Sequence, residues 1–186
     1  MPSIDYNTLK QIKSDLTVYK NFVETGTYFG ETIFGMEPYF ERLYTIEIDE
    51  KLHYSTKSKY NGNKINFILG DGYKVISELV SIFDAPTIFF LDGHHSGPGT
   101  GKGEKDCPLY EEFQVINDKF KSECIIIVDD FRLFEKDPSS GILGEDWSEI
   151  NKSTLLEIVK SRVLDSYHLP SFMADDDRLI VHLSAK

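Results

Sequence analysis

The sequence predicts an α/β fold in which helices cover both faces of a doubly wound, mostly parallel sheet. Short runs rich in Ile, Val, Phe and Tyr recur along the chain, and each is followed by a longer stretch with helical spacing. Two of the runs, "TIFFL" and "CIIIV", are almost entirely apolar, as expected of strands buried on both faces. This alternation of strand and helix is typical of parallel sheets.

The elements are predicted in the following order. Strands are expected at residues 21–25, 42–48, 65–69, 87–91 and 124–128, with weaker candidates at 166–172 and 178–184. Helices are expected at residues 30–37, 50–60, 74–83, 109–120 and 153–163, where apolar residues follow helical spacing. No linker or repeat interrupts this order, so residues 1–186 are expected to form a single domain.

Composition and charge argue against several classes of protein. The formal net charge is −11, which disfavours a nucleic-acid partner because such proteins usually present a basic surface. No apolar run is long enough to span a bilayer, so no membrane partner is expected. The two cysteines, Cys107 and Cys124, lack zinc-site spacing, and the first residues lack a secretion signal. A cytoplasmic location is therefore expected.

The segment "HHSGPGTGKGEKD", residues 94–106, contains a Gly-Lys pair like that of a phosphate-binding loop. Such a loop needs a glycine where this chain has Ser96 and a hydroxyl residue where it has Gly103. A lid with solvated Lys102 and Lys105 is therefore favoured. A metal-assisted nucleotide triphosphatase or hydrolase remains an alternative.

Acidic residues follow each of the first five predicted strands, at the edge where ligands bind in open α/β sheets. They are Glu24, Glu47, Asp49, Asp71, Asp92, Asp129 and Asp130. A single one is usually a helix cap or turn residue. Five strand ends of like charge, however, repel each other unless a cation or a hydroxyl-rich ligand offsets them.

The first turn, "VETGTYFGET", allows close approach of a ligand at Gly26 and Gly30 before a helix begins. Its G-x-x-x-G spacing differs from the G-x-G-x-x-G of dinucleotide-binding proteins. Glu47, at the end of the second strand, is placed to accept both hydroxyls of a ribose. These features predict an adenosyl ligand without a pyrophosphate.

Five segments then resemble, in order, the motifs of class I S-adenosylmethionine-dependent methyltransferases. They are "FVETGTYFGET", "LYTIEIDEKL", "INFILGDGYKVISEL", "TIFFLDGHHS" and "CIIIVDDF". The chain is most similar to small O-methyltransferases of the catechol and caffeoyl-CoA type and to the macrolide-sugar group with an "iDGdHs" motif. The resemblance covers residues 21–131 and implies a Rossmann-like seven-stranded sheet with an antiparallel last strand. It also implies methylation of a small-molecule or sugar hydroxyl.

The resemblance implies a set of residues that bind S-adenosylmethionine. They are Glu24, Gly26, Thr27, Tyr28, Gly30, Thr32, Glu47, Ile48, Asp71, Gly72, Asp92 and His94. In the family pattern, Glu24 and the two turn glycines shape the methionine pocket and Glu47 holds the ribose. Asp71 and Gly72 would flank the adenine, with His94 against its face.

The resemblance also implies catalytic residues and a metal site. Asp92, Asp129 and Asp130 fall where metal-dependent members bind Mg²⁺, a cation that prefers oxygen ligands. Metal-free members keep acids at the same strand ends, so the need for a metal stays open. His95 replaces the lysine base of the catechol enzymes and can act as a base near neutral pH. A purely structural role for His95 is the alternative.

A lid over the acceptor is expected from residues 94–106 and 132–147, with a homodimer as one arrangement that would help to close the site. Aromatic and basic residues expected to line the acceptor pocket are Tyr28, Phe131, Arg132, Phe134 and Trp147. A second alternative is a protein of this fold that binds the cofactor without catalysis.

Overall fold

The computed structural model describes residues 3–139 and 145–186. Within these ranges the strands are β1 (Asn21–Thr25), β2 (Arg42–Glu47), β3 (Ile65–Leu69), β4 (Thr87–Leu91), β5 (Cys124–Val128), β6 (Val163–Leu169) and β7 (Arg178–Leu183). The helices are α1 (Tyr6–Ile12), α2 (Glu31–Met36), α3 (Glu50–Lys57), α4 (Gly72–Leu79), α5 (Leu109–Lys119) and α6 (Lys152–Val159). Two short 3-10 turns lie at Glu37–Tyr39 and Phe131–Leu133.

The strands form one seven-stranded sheet in the order β3-β2-β1-β4-β5-β7-β6. The pairs from β3 to β5 are all parallel, whereas β7 runs antiparallel to both β5 and β6. The last strand is therefore the antiparallel one, as the resemblance implies. The strand order reverses between β1 and β4, so a crevice opens at their carboxyl ends.

Helices cover both faces of the sheet, and the central strands β1, β4 and β5 are buried at every position. One buried cluster joins α4, α5 and α6 to one set of strand side chains, including Val23, Phe89 and Ile126. The other joins α1 and α2 to the alternate set, including Phe22 and Ile88. Since β1, β4 and β5 are buried at all positions, they form the rigid base on which the loops of the site are mounted.

Two elements differ from the sequence prediction by more than a helix end. β6 begins at Val163 and ends at Leu169, whereas the sequence predicts residues 166–172. This strand pairs only with β7 and is mostly half-buried, so it lacks the apolar run that marks the central strands. The short helix α1 is not predicted; Asp5 caps it by accepting from Thr8 N, and it packs through Leu9.

The sixth helix also ends earlier than predicted, at Val159 instead of residue 163. Arg162 therefore lies beyond the helix, where its guanidinium donates to the main-chain oxygens of Phe120 and Ser122 at 3.0 and 2.9 Å. The predicted ends of the other helices and strands differ by smaller amounts, except that α4 spans 72–79 instead of 74–83 and α3 ends at Lys57. Among the described residues, no helix combines the length and the apolar character that a membrane span requires.

Candidate functional site

A cavity of about 460 Å³ opens at the carboxyl edge of the sheet, in the crevice between β1 and β4. All residues predicted to bind the cofactor line this one cavity. They are Glu24, Gly26, Thr27, Tyr28, Gly30, Thr32, Glu47, Ile48, Asp71, Gly72, Asp92 and His94. His95 lines it as well, and so does Ser3 from the segment before α1.

Close packing of two backbone turns forms the floor of the cavity. Gly26 has φ +83°, and a Cβ at this position would lie 2.9 Å from the carbonyl carbon of Asp92. Conversely, a Cβ on Gly93 would lie 2.7 Å from the Cβ of Thr25. Only glycine combines this positive φ with such a close approach. The glycines therefore allow the turns after β1 and β4 to pack directly against each other at the base of the cavity.

Glu47 is held rigidly at the end of β2. Its Oε2 accepts from Tyr28 N at 2.9 Å, and its Oε1 accepts from Asp49 N at 2.9 Å. Tyr28 has φ +45°, an uncommon conformation that turns its N–H toward the carboxylate. Each carboxylate oxygen keeps acceptor capacity after these bonds, so the group can accept two further hydroxyl donors.

Glu24 lies deeper, at the end of β1. Its Oε2 accepts from Thr45 Oγ1 at 2.6 Å, and Thr45 Oγ1 also lies 2.6 Å from Thr27 Oγ1. Burial raises the pKa of Glu24 well above the usual range, and the charges of Asp92 and Glu47 add to the effect. A cation bound in the cavity would lower this pKa, because it favours the charged form of the acid.

His94 lies between two of the acids predicted to bind a metal. Its Nε2 lies 2.9 Å from Asp130 Oδ2 and its Nδ1 lies 3.9 Å from Asp92 Oδ1. Its ring packs edge-on against Trp147, with ring centroids 4.7 Å apart. Burial alone lowers the pKa of His94, but the hydrogen bond and charge of Asp130, with the charge of Asp92, outweigh it and raise the pKa to about 9.

Three further residues extend this cluster, namely Arg132, Asp177 and Arg178. The sequence prediction did not include Asp177 or Arg178. Arg132 Nη1 donates to Asp130 and, at 2.8 Å, to Asp177 Oδ2. Arg178 Nε lies 3.5 Å from Asp129 Oδ1. Arg132 follows β5, Asp177 precedes β7 and Arg178 is the first residue of β7. Because β5 and β7 are paired in the sheet, only the topology identifies these residues as neighbours.

The three acids predicted to bind Mg²⁺ do not form one ligand set. Among the described residues, the groups close enough to share an ion are Asp92 with His94 and Asp130, and Asp129 with Asp130 and Asp177. Asp130 offers one oxygen to His94 and the other to Arg132. Mg²⁺ requires a near-octahedral shell of oxygens. The positions of these side chains do not fit that requirement, because His94 and Arg132 already engage both oxygens of Asp130, the acid common to the two groups.

His95 contacts the glycine-rich loop instead of the acids. Its Nδ1 lies 3.1 Å from Gly101 O and 3.3 Å from Thr100 Oγ1. A carbonyl only accepts, so the contact with Gly101 O requires a hydrogen on Nδ1. In the neutral ring, Nε2 then carries the lone pair and is the basic atom.

The Gly-Lys loop does not have the geometry of a phosphate-binding loop. In such loops a helix begins at the lysine, so that its N-terminus faces the phosphates. Here residues 92–108 contain no helix, and α5 begins only at Leu109. Lys102 is paired with Asp106 at 2.7 Å. The loop forms a wall of the cavity, with Pro98 and Thr100 among its lining residues.

Glu112 of α5 is a buried acid beneath the cavity that the sequence prediction missed. It is 1% exposed, and its Oε1 has no hydrogen-bond partner among the described residues. A Cβ on Gly72 would lie 2.8 Å from this oxygen. Burial raises the pKa of Glu112 to about 8. A signal was present, since Glu112 falls on the face of α5 that buries Leu109, Phe113 and Ile116.

The residues expected to line the acceptor pocket lie in different environments. Tyr28 is 48% exposed at the cavity, whereas Trp147 and Phe134 are packed in the core. Trp147 Nε1 donates to Glu145 Oε2 at 2.9 Å. Arg132 is engaged by acids, as described above, and Phe131 packs on Phe134. Of the lid expected at 132–147, residues 140–144 lie outside the described residues.

The sequence matches no protein-family model and no curated protein. Solved structures share its fold. They include a candidate methyltransferase of Streptococcus mutans in complex with S-adenosylhomocysteine, at 13% identity and TM-score 0.59, covering 98% of this chain and 99% of that one. A Methanosarcina mazei S-adenosylmethionine-dependent methyltransferase matches at 12% identity and TM-score 0.59, covering 98% and 99%.

A third structure is a spermidine synthase in complex with the transition-state analogue AdoDATO, at 13% identity and TM-score 0.61. The match covers 91% of this chain and 57% of that one. Identities of this size establish the fold alone. The chain has the Rossmann-like fold of class I S-adenosylmethionine-dependent methyltransferases.

Proposed function

We propose that the protein is an S-adenosylmethionine-dependent O-methyltransferase acting on a hydroxyl group of a small molecule or sugar. The observation that carries this proposal is the Glu47 carboxylate, held by Tyr28 N–H and Asp49 N–H at the wall of the cavity. An acid so oriented, beside a turn that only glycine permits, suits the two hydroxyls of a ribose. The fold neighbours that bind S-adenosyl compounds support the same ligand class.

Different residues of the cavity would contact different parts of the nucleoside. Glu47 would accept the ribose hydroxyls, and Asp71 with Gly72 at the start of α4 would flank the adenine. Glu24 would face the positively charged amino end of the ligand, which offsets the burial of this acid. S-adenosylmethionine, when bound, supplies a sulfonium methyl group for in-line transfer to an oxygen nucleophile.

His95 is the proposed general base. Its Nε2 would take the proton of the acceptor hydroxyl as the new O–CH₃ bond forms and the S–CH₃ bond breaks, and would then release that proton to water. Asp92 lies on the same cavity and would hydrogen-bond the acceptor. No magnesium step belongs to this proposal, because His94 and Arg132 already occupy the oxygens of Asp130.

Ligand binding separates the proposal from the nucleotide triphosphatase alternative. S-adenosylhomocysteine at about 100 times its Kd should stabilise the protein by about 2.7 kcal/mol, or roughly 5–10 °C in Tm for a domain of this size. ATP should give no shift, in wild type and in Lys102→Ala alike. A shift with ATP that Lys102→Ala abolishes, and none with S-adenosylhomocysteine, would overturn the proposal.

Methyl transfer separates the enzyme from a protein that only binds the cofactor. S-adenosylmethionine carrying a radiolabelled methyl group would be incubated with a panel of hydroxyl-bearing small molecules and sugars. The proposal expects label in an alkali-stable ether product, and much less of it with His95→Gln. Binding of the cofactor without transfer to any member of a broad panel would favour the non-catalytic alternative.

A further inference from the structure

Gly101 lies between the predicted ribose ligand and the predicted base. Its Cα faces the end of β2, where a Cβ would overlap Ile48 Cγ2 and lie 3.0 Å from Asp49 N. This same Asp49 N–H donates to Glu47 Oε1. Only a residue without a side chain allows the loop to lie this close to the turn that holds Glu47.

The carbonyl of Gly101 points the other way and contacts His95. The distance from Gly101 O to His95 Nδ1 is 3.1 Å, and this bond requires the hydrogen on Nδ1. In many enzymes a carboxylate orients the histidine base in this manner. Here the orienting acceptor is a main-chain carbonyl, whose position depends on how the loop lies on β2.

Several polar contacts hold the loop in this position. His95 N donates to Asp106 O at 2.8 Å, and Lys102 pairs with Asp106 at 2.7 Å. Farther along, Glu104 accepts from Lys74 of α4 at 2.9 Å. The surface pairs contribute little individually. The contact of Gly101 with Ile48 and Asp49 is where the loop packs directly on the end of β2, next to the carbonyl that contacts His95.

We infer that Gly101 is a positioning residue: its contact with Ile48 and Asp49 places the carbonyl that keeps the hydrogen on Nδ1 of His95 and leaves Nε2 as the base. This inference rests on the proposed function, because it assigns an orienting group to the proposed base. It also means that a single contact, that of Gly101 with Ile48 and Asp49, affects both the residue proposed to bind the ribose and the proposed base. Gly101 thus has a role unrelated to phosphate binding.

The tautomer of His95 can be measured without any acceptor. In ¹⁵N-labelled protein at mildly alkaline pH, where an ordinary imidazole is neutral, the ring nitrogens distinguish the Nδ1–H from the Nε2–H form. The His95 signals are identified by their loss in His95→Gln. We expect the Nδ1–H form in wild type. An Nε2–H form in the wild-type protein would overturn the inference, whether or not any variant folds.

Gly101→Ala tests the cause of this tautomer preference. The added methyl must displace the loop from β2, so both tautomers of His95 should become populated. The same substitution at Gly103, where the nearest atom to a Cβ is 3.3 Å away, should have a much smaller effect. Adding Ile48→Ala to Gly101→Ala removes the overlapping methyl group and should restore part of the Nδ1–H population.

An unchanged tautomer in a folded Gly101→Ala protein would contradict the inference. Calorimetric titration of the same samples with S-adenosylhomocysteine tests the proposed function separately. If wild type binds this ligand but His95 is in the Nε2–H form, only the positioning role fails. If the Nδ1–H form is present but the ligand does not bind, the proposed function fails while the structural role of Gly101 is retained.

Discussion

Tyr28 N donates to Glu47 Oε2 at 2.9 Å, which joins the first βα turn to the carboxylate that ends β2. The two residues are 19 positions apart in the chain, and parallel pairing of β1 with β2 brings them together. The bond fixes both the strained turn and the acid. The proposed ribose site depends on this pairing, because it gives the cavity a preoriented acceptor.

The close approach of the turns after β1 and β4 predicts the effect of Gly26→Ala. The methyl group would meet the main chain of Asp92, and the positive φ adds strain of about 1 kcal/mol or more. We expect a lower Tm and loss of S-adenosylhomocysteine binding. Gly35→Ala is the matched control, since its Cβ would meet nothing within 4 Å inside α2. It should be neutral or stabilise by about 0.5–1 kcal/mol.

The His94–Asp130 pair predicts a pH-dependent stability. The folded pKa of His94, about 9, lies above its ordinary 6.5. Its contribution is therefore fully present below pH 6.5 and is lost as pH rises through 9. His94→Gln should destabilise by about 3 kcal/mol near pH 6, at the low end for a buried pair because Arg132 still neutralises Asp130. Urea titrations should show this difference shrinking between pH 6.5 and pH 9.

His53→Gln provides a control of opposite sign. Burial lowers the pKa of His53, so its contribution is present above its ordinary pKa and is lost as pH falls. The stability of the variant relative to wild type should therefore increase as the pH falls below 6.5. A cost for His94→Gln that stays constant from pH 6 to 10 would show that the imidazole is not charged in the folded protein.

The buried acid Glu112 predicts a stabilising substitution. Its folded pKa of about 8 exceeds the ordinary 4.5. The contribution of Glu112 to the free energy of unfolding is therefore fully present below pH 4.5 and is lost as the pH rises through 8. Glu112→Gln removes this cost, and its Tm relative to wild type should rise between pH 5 and 9. The exposed Glu157→Gln should show no such trend. A wild-type advantage that grows with pH would mean that Glu112 is ionised and has a partner.

Because His94 and Arg132 engage both oxygens of Asp130, we expect magnesium to leave the Tm of the protein unchanged. Millimolar MgCl₂ and EDTA should leave the Tm of wild type unchanged, since an ion would have to displace basic side chains from the acids. A rise in Tm with MgCl₂ that Asp129→Ala abolishes would restore the metal site that the resemblance implies.

The fold was predictable because the central strands are buried on both faces. Residues 87–91 and 124–128 are predicted at the bounds observed, since a nearly unbroken apolar run has few alternatives. Residues 21–25 and 65–69 are also predicted at the bounds observed, although each contains polar residues. The edge strand β6 carries no such run, and α1 is short and stabilised mainly by tertiary packing. These two elements are accordingly misplaced or missed.

The lining of the cavity was predictable for a different reason, namely that the ends of parallel strands meet at one edge. The directions in which the side chains point at that edge were not predictable from the sequence. Whether His94 or His95 faces the acids depends on the path of the loop after β4. Asp177 and Arg178 join the cluster only because β7 inserts beside β5, a long-range pairing that no local pattern encodes.

Calorimetric titration with S-adenosylhomocysteine tests the central claim most directly. Wild type and Glu41→Ala, an exposed acid one residue before β2, should bind with micromolar Kd. Glu47→Ala should weaken binding by about a hundredfold or more, because two hydrogen bonds to a charged group contribute about 1.5–3 kcal/mol each. A folded Glu47→Ala protein with the wild-type isotherm would contradict the account.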